Sequence, residues 1–333
     1  MSSATTCHNT HGKTVLSFFS ATVSAVLLVT TATLNAFILL VFVRNKSLWQ
    51  KSMFYKLLLN ITVADFLTGV IADPVSIMFH TKEGFGNYMT KEEVILVHYT
   101  LFSFNGVSIL TMSLLCIDRI VALLKPLKYR NGLEDWKCYL MISSTWILGN
   151  LLVIPYFKIG YIKYLAIFSY FTVTFAALSL LLVTMVYKKY FTSFNKTVRP
   201  HDCNEFKRNT ETDENVVHEH TNDSNNKEDG DINECKLKPT KSNNKTHKMS
   251  SSEKRVNKSF ITLLVVFVLT YLPSVVMTTY MNLCQDCDCM FIHVLRDLTL
   301  VSIYSSALWR PLNFVIRLKT IRKEISTLLN CSS

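Results

Sequence analysis

Seven long apolar runs constrain what this chain can become: residues 15–43, 52–79, 94–124, 138–157, 161–191, 258–283 and 290–316. Each reaches the roughly 20 mostly apolar residues that a helix needs to cross a bilayer. Hydrocarbon offers no partner to backbone N–H and C=O groups, so a spanning segment is either a helix or a strand of a closed barrel. Barrel strands alternate apolar and polar residues with a period of two, and none of the seven runs does so. The expected fold is an all-α membrane protein, a seven-transmembrane helix bundle, with a short amphipathic C-terminal helix in the basic stretch 317–329.

Orientation follows from the loop charges. The connections "RNKSLWQK", "RIVALLKPLKYR" and "RLKTIRKE" are basic, and about 28 of the 35 Lys and Arg fall on their face, which the positive-inside rule assigns to the cytoplasm. Seven spans then put the N-terminus outside. The expected organisation is an extracellular segment 1–14, a bundle 15–316, and an amphipathic helix and cytoplasmic tail 317–333. The net charge of +11 reads as anchoring of loops against anionic lipid heads, not as nucleic-acid binding, because no folded basic module is visible. The polar opening MSSATTCHNTHG is followed by no short apolar core with a cleavage site, so no removable signal peptide is expected.

Residues 192–257 break the apolar pattern with Asn, Asp, Lys and Ser. Such a segment cannot bury enough apolar surface to offset its ordering entropy, and a disordered cytoplasmic loop is expected. Its His201, Cys203, His218, His220 and Cys235 match no zinc spacing, so no metal is expected. The Asn-X-Ser/Thr matches at Asn195, Asn222, Asn244 and Asn257 lie on the wrong side of the membrane for glycosylation. Cys331, beside the basic stretch, is a palmitoylation candidate. On the outer face, Cys7, Cys284, Cys287 and Cys289 meet an oxidising environment that permits two bridges, one within "LCQDCDCMF" and one tying Cys7 to it. Spacing alone does not choose the pairs.

Several motifs stand in order along the spans. The first carries Asn35, and the second carries "LNITVADF" with Asp65. The third ends in "LLCIDRIVALLKPLKYR" with Asp118 and Arg119; the fourth has Trp146, the sixth "LTYLP" with Tyr271 and Pro273, and the seventh "RPLNF" with Arg310, Pro311 and Phe314. Together they resemble a rhodopsin-like (class A) G-protein-coupled receptor across essentially all seven spans. The resemblance implies a plasma-membrane receptor that binds an extracellular ligand and activates a heterotrimeric G protein, with arrestin and receptor kinases as further partners. In this family Arg119, held by Asp118, is released to meet the Gα C-terminal helix, and Tyr187 on the fifth span assists. Pro273, Pro311, Tyr271 and Phe314 stand at the activation hinge. Tyr271 replaces the family's tryptophan, and Phe314 replaces its last tyrosine.

Family members bind sodium at the acid corresponding to Asp65, with Asn35, Ser108 and polar groups of the seventh helix. Here the usual seventh-helix asparagine is Arg310. A charge in hydrocarbon costs at least ~2.5–3.5 kcal/mol, so Arg310 either pairs with Asp65, replacing the ion with a bidentate guanidinium contact, or snorkels to the cytoplasmic interface.

Ligand class is less constrained. Leu101 stands where aminergic receptors carry an aspartate, which argues against a biogenic amine. The short second outer connection, the absent proline of the fifth helix and the cysteine-rich third connection resemble the melanocortin, cannabinoid, lysophospholipid and adenosine receptor branch, melanocortin receptors most in pattern. His98 and Val75 stand where the acidic calcium and peptide site of melanocortin receptors would be. Pocket candidates are Asp73, His98, Phe102, Asn105, Arg296 and Tyr304, which face inward or line the outer mouth. No nucleophile–base pair or phosphate loop is present, so neither an enzyme nor a cofactor is expected. A non-signalling binding protein or heteromer partner is the alternative. A transporter is third, because no inverted repeat is visible.

Overall fold

The computed structural model describes residues 13–50, 52–87, 89–124, 129, 134–198, 251–284 and 287–330. Among these no strand occurs, and seven helices are long and apolar enough to cross a membrane. They are α1 (Lys13–Arg44), α2 (Met53–Gly84), α3 (Lys91–Leu124), α4 (Asp135–Leu151, whose span runs on to Ile159), α5 (Tyr161–Val198), α6 (Ser251–Leu283) and α7 (Cys289–Arg317). The chain is extended at Leu318 (φ −91°, ψ 98°) and resumes as α8, Lys319–Asn330. On α8, Ile321 is buried with Leu318 while Arg322 and Lys323 stay exposed, which is the amphipathic division expected of it.

The bundle buries polar groups beside its apolar core and turns further apolar side chains outward. Val29, Leu148 and Leu182 are exposed, whereas Asn35, Asn60, Asp65, Asp73, Asn105 and Arg310 are buried. Lipid tails are as apolar as leucine, so helices in a membrane associate through close packing and interhelical hydrogen bonds instead of apolar burial. Trp146 Nε1 donates to Asn60 Oδ1 at 2.9 Å, and Asn60 Nδ2 donates to Thr111 Oγ1 at 2.8 Å, joining α4, α2 and α3.

Small residues allow two close crossings. A Cβ on Gly69 of α2 would stand 3.0 Å from the Ala32 backbone nitrogen of α1. One on Gly149 of α4 would stand 2.7 Å from Val107 Cγ2 and 2.9 Å from the Val107 nitrogen of α3. Backbone cannot yield as a side-chain tip can. Gly149→Val is expected to cost about 1–3 kcal/mol, the range for overpacking, read as a lower unfolding midpoint and less monodisperse protein after extraction.

α2 contains a π-helical turn, Thr68–Ala72. Asp73 N–H bonds the Thr68 carbonyl five residues back, and Pro74 follows. The widened turn removes the collision of a proline ring with the carbonyl four residues earlier. It also advances every later residue by one place, about 100° of a regular helix.

The structure corrects three boundaries. α5 continues through Val198 and α6 begins at Ser251, so both ends of the segment expected as loop, 192–257, are helical. Extending a formed helix costs little compared with nucleating one. The fourth run does not remain helical to 157. α4 stops at Leu151, and after Pro155 a single helical turn, Tyr156–Ile159, leads to Gly160 at φ +80° and into α5. Cys7, Cys331, Cys203, Cys235, His201, His218, His220, Asn222 and Asn244 lie outside the described residues.

Candidate functional site

Three polar layers cross the bundle. In the innermost, Asp118 and Arg119 at the end of α3 are buried. Arg119 Nε donates to Asp118 Oδ2 at 2.9 Å, Nη2 meets the same oxygen, and Nη2 also donates to the Tyr129 hydroxyl at 2.7 Å. The guanidinium lies over the Phe54 ring of α2, 4.5 Å from its centroid. Nearby, buried Lys56 of α2 pairs with Asp135 of α4. Tyr187 is half-buried on α5.

The middle layer surrounds Asp65. Arg310 Nε donates to Asp65 Oδ2 at 2.9 Å and Nη2 stands 2.7 Å from Oδ1, a two-point contact between α7 and α2. Ser108 Oγ of α3 donates to Asp65 Oδ1 at 3.2 Å. Arg310 is 2% exposed and Asp65 0%, so the guanidinium does not snorkel. Its Nη1 makes no hydrogen bond. Nη2 also reaches Ser306 Oγ at 3.3 Å, Ser306 lies 3.3 Å from the Tyr271 hydroxyl, and Tyr271 donates to Asn105 Oδ1 at 2.7 Å. The four helices α2, α3, α6 and α7 thus share one polar chain. Asn35 is not part of it: its Nδ2 donates to the Thr31 and Ala307 carbonyls, at 2.9 and 3.2 Å. Pro273 lies within α6, and Pro311 and buried Phe314 within α7.

Tyr271 supplies the hydrogen bond on Asn105 Oδ1. Tyr271→Phe leaves that buried acceptor unpaired, and the cost of such a loss is about 1–3 kcal/mol. The expected result is a lower midpoint for Tyr271→Phe that a further Asn105→Leu largely restores, read by thermal unfolding of the purified protein.

In the outer layer the expected pocket residues separate into two groups. His98 and Phe102 of α3 are packed in aromatic rings: His98 stacks on Tyr161 with centroids 3.9 Å apart, its Nδ1 lies 2.7 Å from the Tyr156 hydroxyl, and Phe102 meets Tyr164 edge-on at 4.6 Å. Tyr156 of the short α4–α5 connection and Tyr161 and Tyr164 of the first turn of α5 supply these rings, so α3 is covered by side chains of both. Asp73 and Tyr304 are buried, and Asp73 Oδ1 makes no hydrogen bond.

Arg296, expected at the mouth, is bound to protein groups. It donates from Nη1 and Nη2 to Glu83 Oε1 and Oε2 at 3.0 and 2.7 Å, and from Nε to Asp297 Oδ1 at 2.8 Å. Ser17 and Ser20 of α1 donate to Glu83 Oε2 and Asp297 Oδ2, at 3.1 and 2.7 Å. His80 stands beside both acids. The sequence reading passed over Glu83, Asp297 and His80. The available signal was three charges, Glu83, Arg296 and Asp297, on helices long enough to span, each a functional hypothesis by default. Above them Cys284 and Cys287 form a disulfide, and Cys289 is also disulfide-bonded.

Two similarities to known proteins accompany this geometry. The family model described as 7 transmembrane receptor (rhodopsin family) matches residues 34–313. The chain is 30% identical over 124 residues to a cholecystokinin receptor of Xenopus laevis, a match covering 37% of this chain and 26% of the relative. The aligned part thus spans about a quarter of the curated relative's length.

Proposed function

Since the chain belongs to the rhodopsin family of seven-transmembrane receptors, we propose that it binds an extracellular ligand at the plasma membrane and passes that binding to heterotrimeric G proteins. Binding would shift a two-state bundle, and a ligand moves such an equilibrium only by its differential affinity for the two states. The observation that carries the reading is the buried chain Asp65–Arg310–Ser306–Tyr271–Asn105. It links the helices between an outer region with an unsatisfied carboxylate oxygen on Asp73 and an inner end where Arg119 is held by Asp118 and Tyr129. Polar networks of this kind have discrete arrangements, because each rearrangement must re-pair every buried group.

Asp118, Arg119 and Tyr187 form the G-protein face in this reading, and Arg310 stands in place of a bound ion at Asp65. Asp73, Tyr304 and Asn105 line the ligand site, with His98 and Phe102 as its wall. The ligand class is a lipid, a nucleoside-like small molecule or a peptide. Leu101 offers an ammonium no carboxylate, which argues against a biogenic amine. The Cys284–Cys287 bridge in a short outer connection supports a melanocortin-like outer face. Arrestin, receptor kinases and membrane lipids complete the partners.

A non-signalling binding role is the second reading, favoured by Phe314, which has no hydroxyl to join α7 to Tyr187. Nucleotide exchange by purified receptor on a panel of Gα subunits, with candidate lipids and peptides, separates the two. Ligand-driven exchange on at least one Gα is the expected result. Saturable ligand binding with no exchange on any Gα would establish the second.

A further inference from the structure

On α2 and α7, the two acids held by Arg296 flank one imidazole. His80 Nδ1 lies 3.7 Å from Glu83 Oε2 and 3.8 Å from Asp297 Oδ2, and the three ligand atoms all fall within 4.8 Å of one another. His80 is 2% exposed, and its Nδ1 makes no hydrogen bond. A buried ring nitrogen aimed between two carboxylates, too far away to bond either, is an unusual arrangement for a group that costs free energy when left unpaired. We propose that His80, Glu83 and Asp297 form a binding site for a divalent transition-metal ion of the zinc class, bridging α2 and α7.

Three features of the donor set fit that ion. One imidazole nitrogen with two carboxylate oxygens is a zinc-type ligand set that leaves a position open for water or a ligand group. Donors at about 2.0–2.1 Å around a tetrahedral ion stand roughly 3.3–3.4 Å from one another. The two observed separations of 3.7 and 3.8 Å therefore need to close by only a few tenths of an ångström. The carboxylates are also held in place from behind. Arg296 fixes Glu83 and Asp297 together, and the Ser17 and Ser20 hydroxyls orient the very oxygens that face His80. Hydrogen bonds of this kind on ligating carboxylates are the usual support of a metal site. The formal charges of Glu83, Asp297 and Arg296 sum to −1, which draws a divalent cation to the cluster. Magnesium and calcium prefer more oxygen ligands than this group offers. In the two-state bundle proposed above, an ion bridging α2 and α7 would resist any movement of one against the other.

The test uses the full-length receptor in nanodiscs and reads metal binding, so it stands apart from any signalling result. Zinc chloride should raise the unfolding midpoint saturably, with one tightly bound zinc per chain lost on chelation, while calcium and magnesium chloride leave the midpoint unchanged. His80→Ala should weaken this binding at least as much as loss of a supporting residue does, ~10–100-fold. His80→Cys should restore it with a preference for cadmium, because thiolate is the softer ligand. No zinc-dependent rise in the unmutated receptor overturns the proposal, as does binding to folded His80→Ala with undiminished affinity. If neither variant folds, tetrahedral absorption bands of cobalt bound to the unmutated chain decide it, and octahedral or absent bands overturn it.

Discussion

Arg310→Met is expected to destabilise the receptor by about 3–5 kcal/mol, the cost of removing one partner of a buried ion pair. The magnitude comes from what is left behind. Asp65 is fully buried, and of its contacts Ser108 alone would remain, a neutral donor at 3.2 Å. A carboxylate there must either stay charged in a low-dielectric interior or take up a proton, and both routes draw on folding free energy. The double replacement Asp65→Asn with Arg310→Met should recover most of the loss, because neutral groups of similar volume often replace a buried pair at little or no net cost. Unfolding midpoints of the wild type, both single variants and the double variant give the coupling between the two residues. Independent, additive effects would show that the contact contributes nothing.

Arg119→Ala is expected to reduce ligand-driven nucleotide exchange to the rate of the Gα subunit alone while leaving ligand binding intact. Arg119 is closed off by Asp118, Tyr129 and the Phe54 ring, so it contacts a partner only after those contacts open. Asp118→Asn weakens the closed arrangement from the other side and should raise exchange without ligand. The pair of results matters more than either one. Loss of exchange through misfolding would lower ligand binding in both variants, whereas a role in coupling moves exchange in opposite directions at constant binding. Full signalling by folded Arg119→Ala would remove this residue from the mechanism.

The helices were legible because hydrocarbon imposes a length and a hydropathy that few other sequences share. The Arg310–Asp65 contact was legible as one of two outcomes: a guanidinium in an apolar run either pairs with an acid or snorkels to the interface, and the motif pattern put Asp65 opposite. The outer cluster was not read. Glu83 and Arg296 are 213 residues apart, and the π-helical turn at Thr68–Ala72 rotates His80 and Glu83 away from the face that a regular helix would give them. His98, a pocket candidate by its helical position, is stacked on Tyr161, because the chain after α4 folds its tyrosines inward after Pro155, a local geometry that hydropathy does not encode. Asn60, whose bond to Trp146 joins α2 and α4, carried no signal beyond being polar within a span.

The protein closes its polar core with a cation of its own, Arg310 on Asp65. The most direct measurement compares unfolding midpoints and ligand affinity of the purified receptor in equal concentrations of sodium and potassium chloride. With the guanidinium in place the two salts should give the same values, and Arg310→Asn should introduce a sodium-specific increase in midpoint. A sodium-specific shift in the unmutated receptor would mean that Asp65 still takes up an ion despite Arg310.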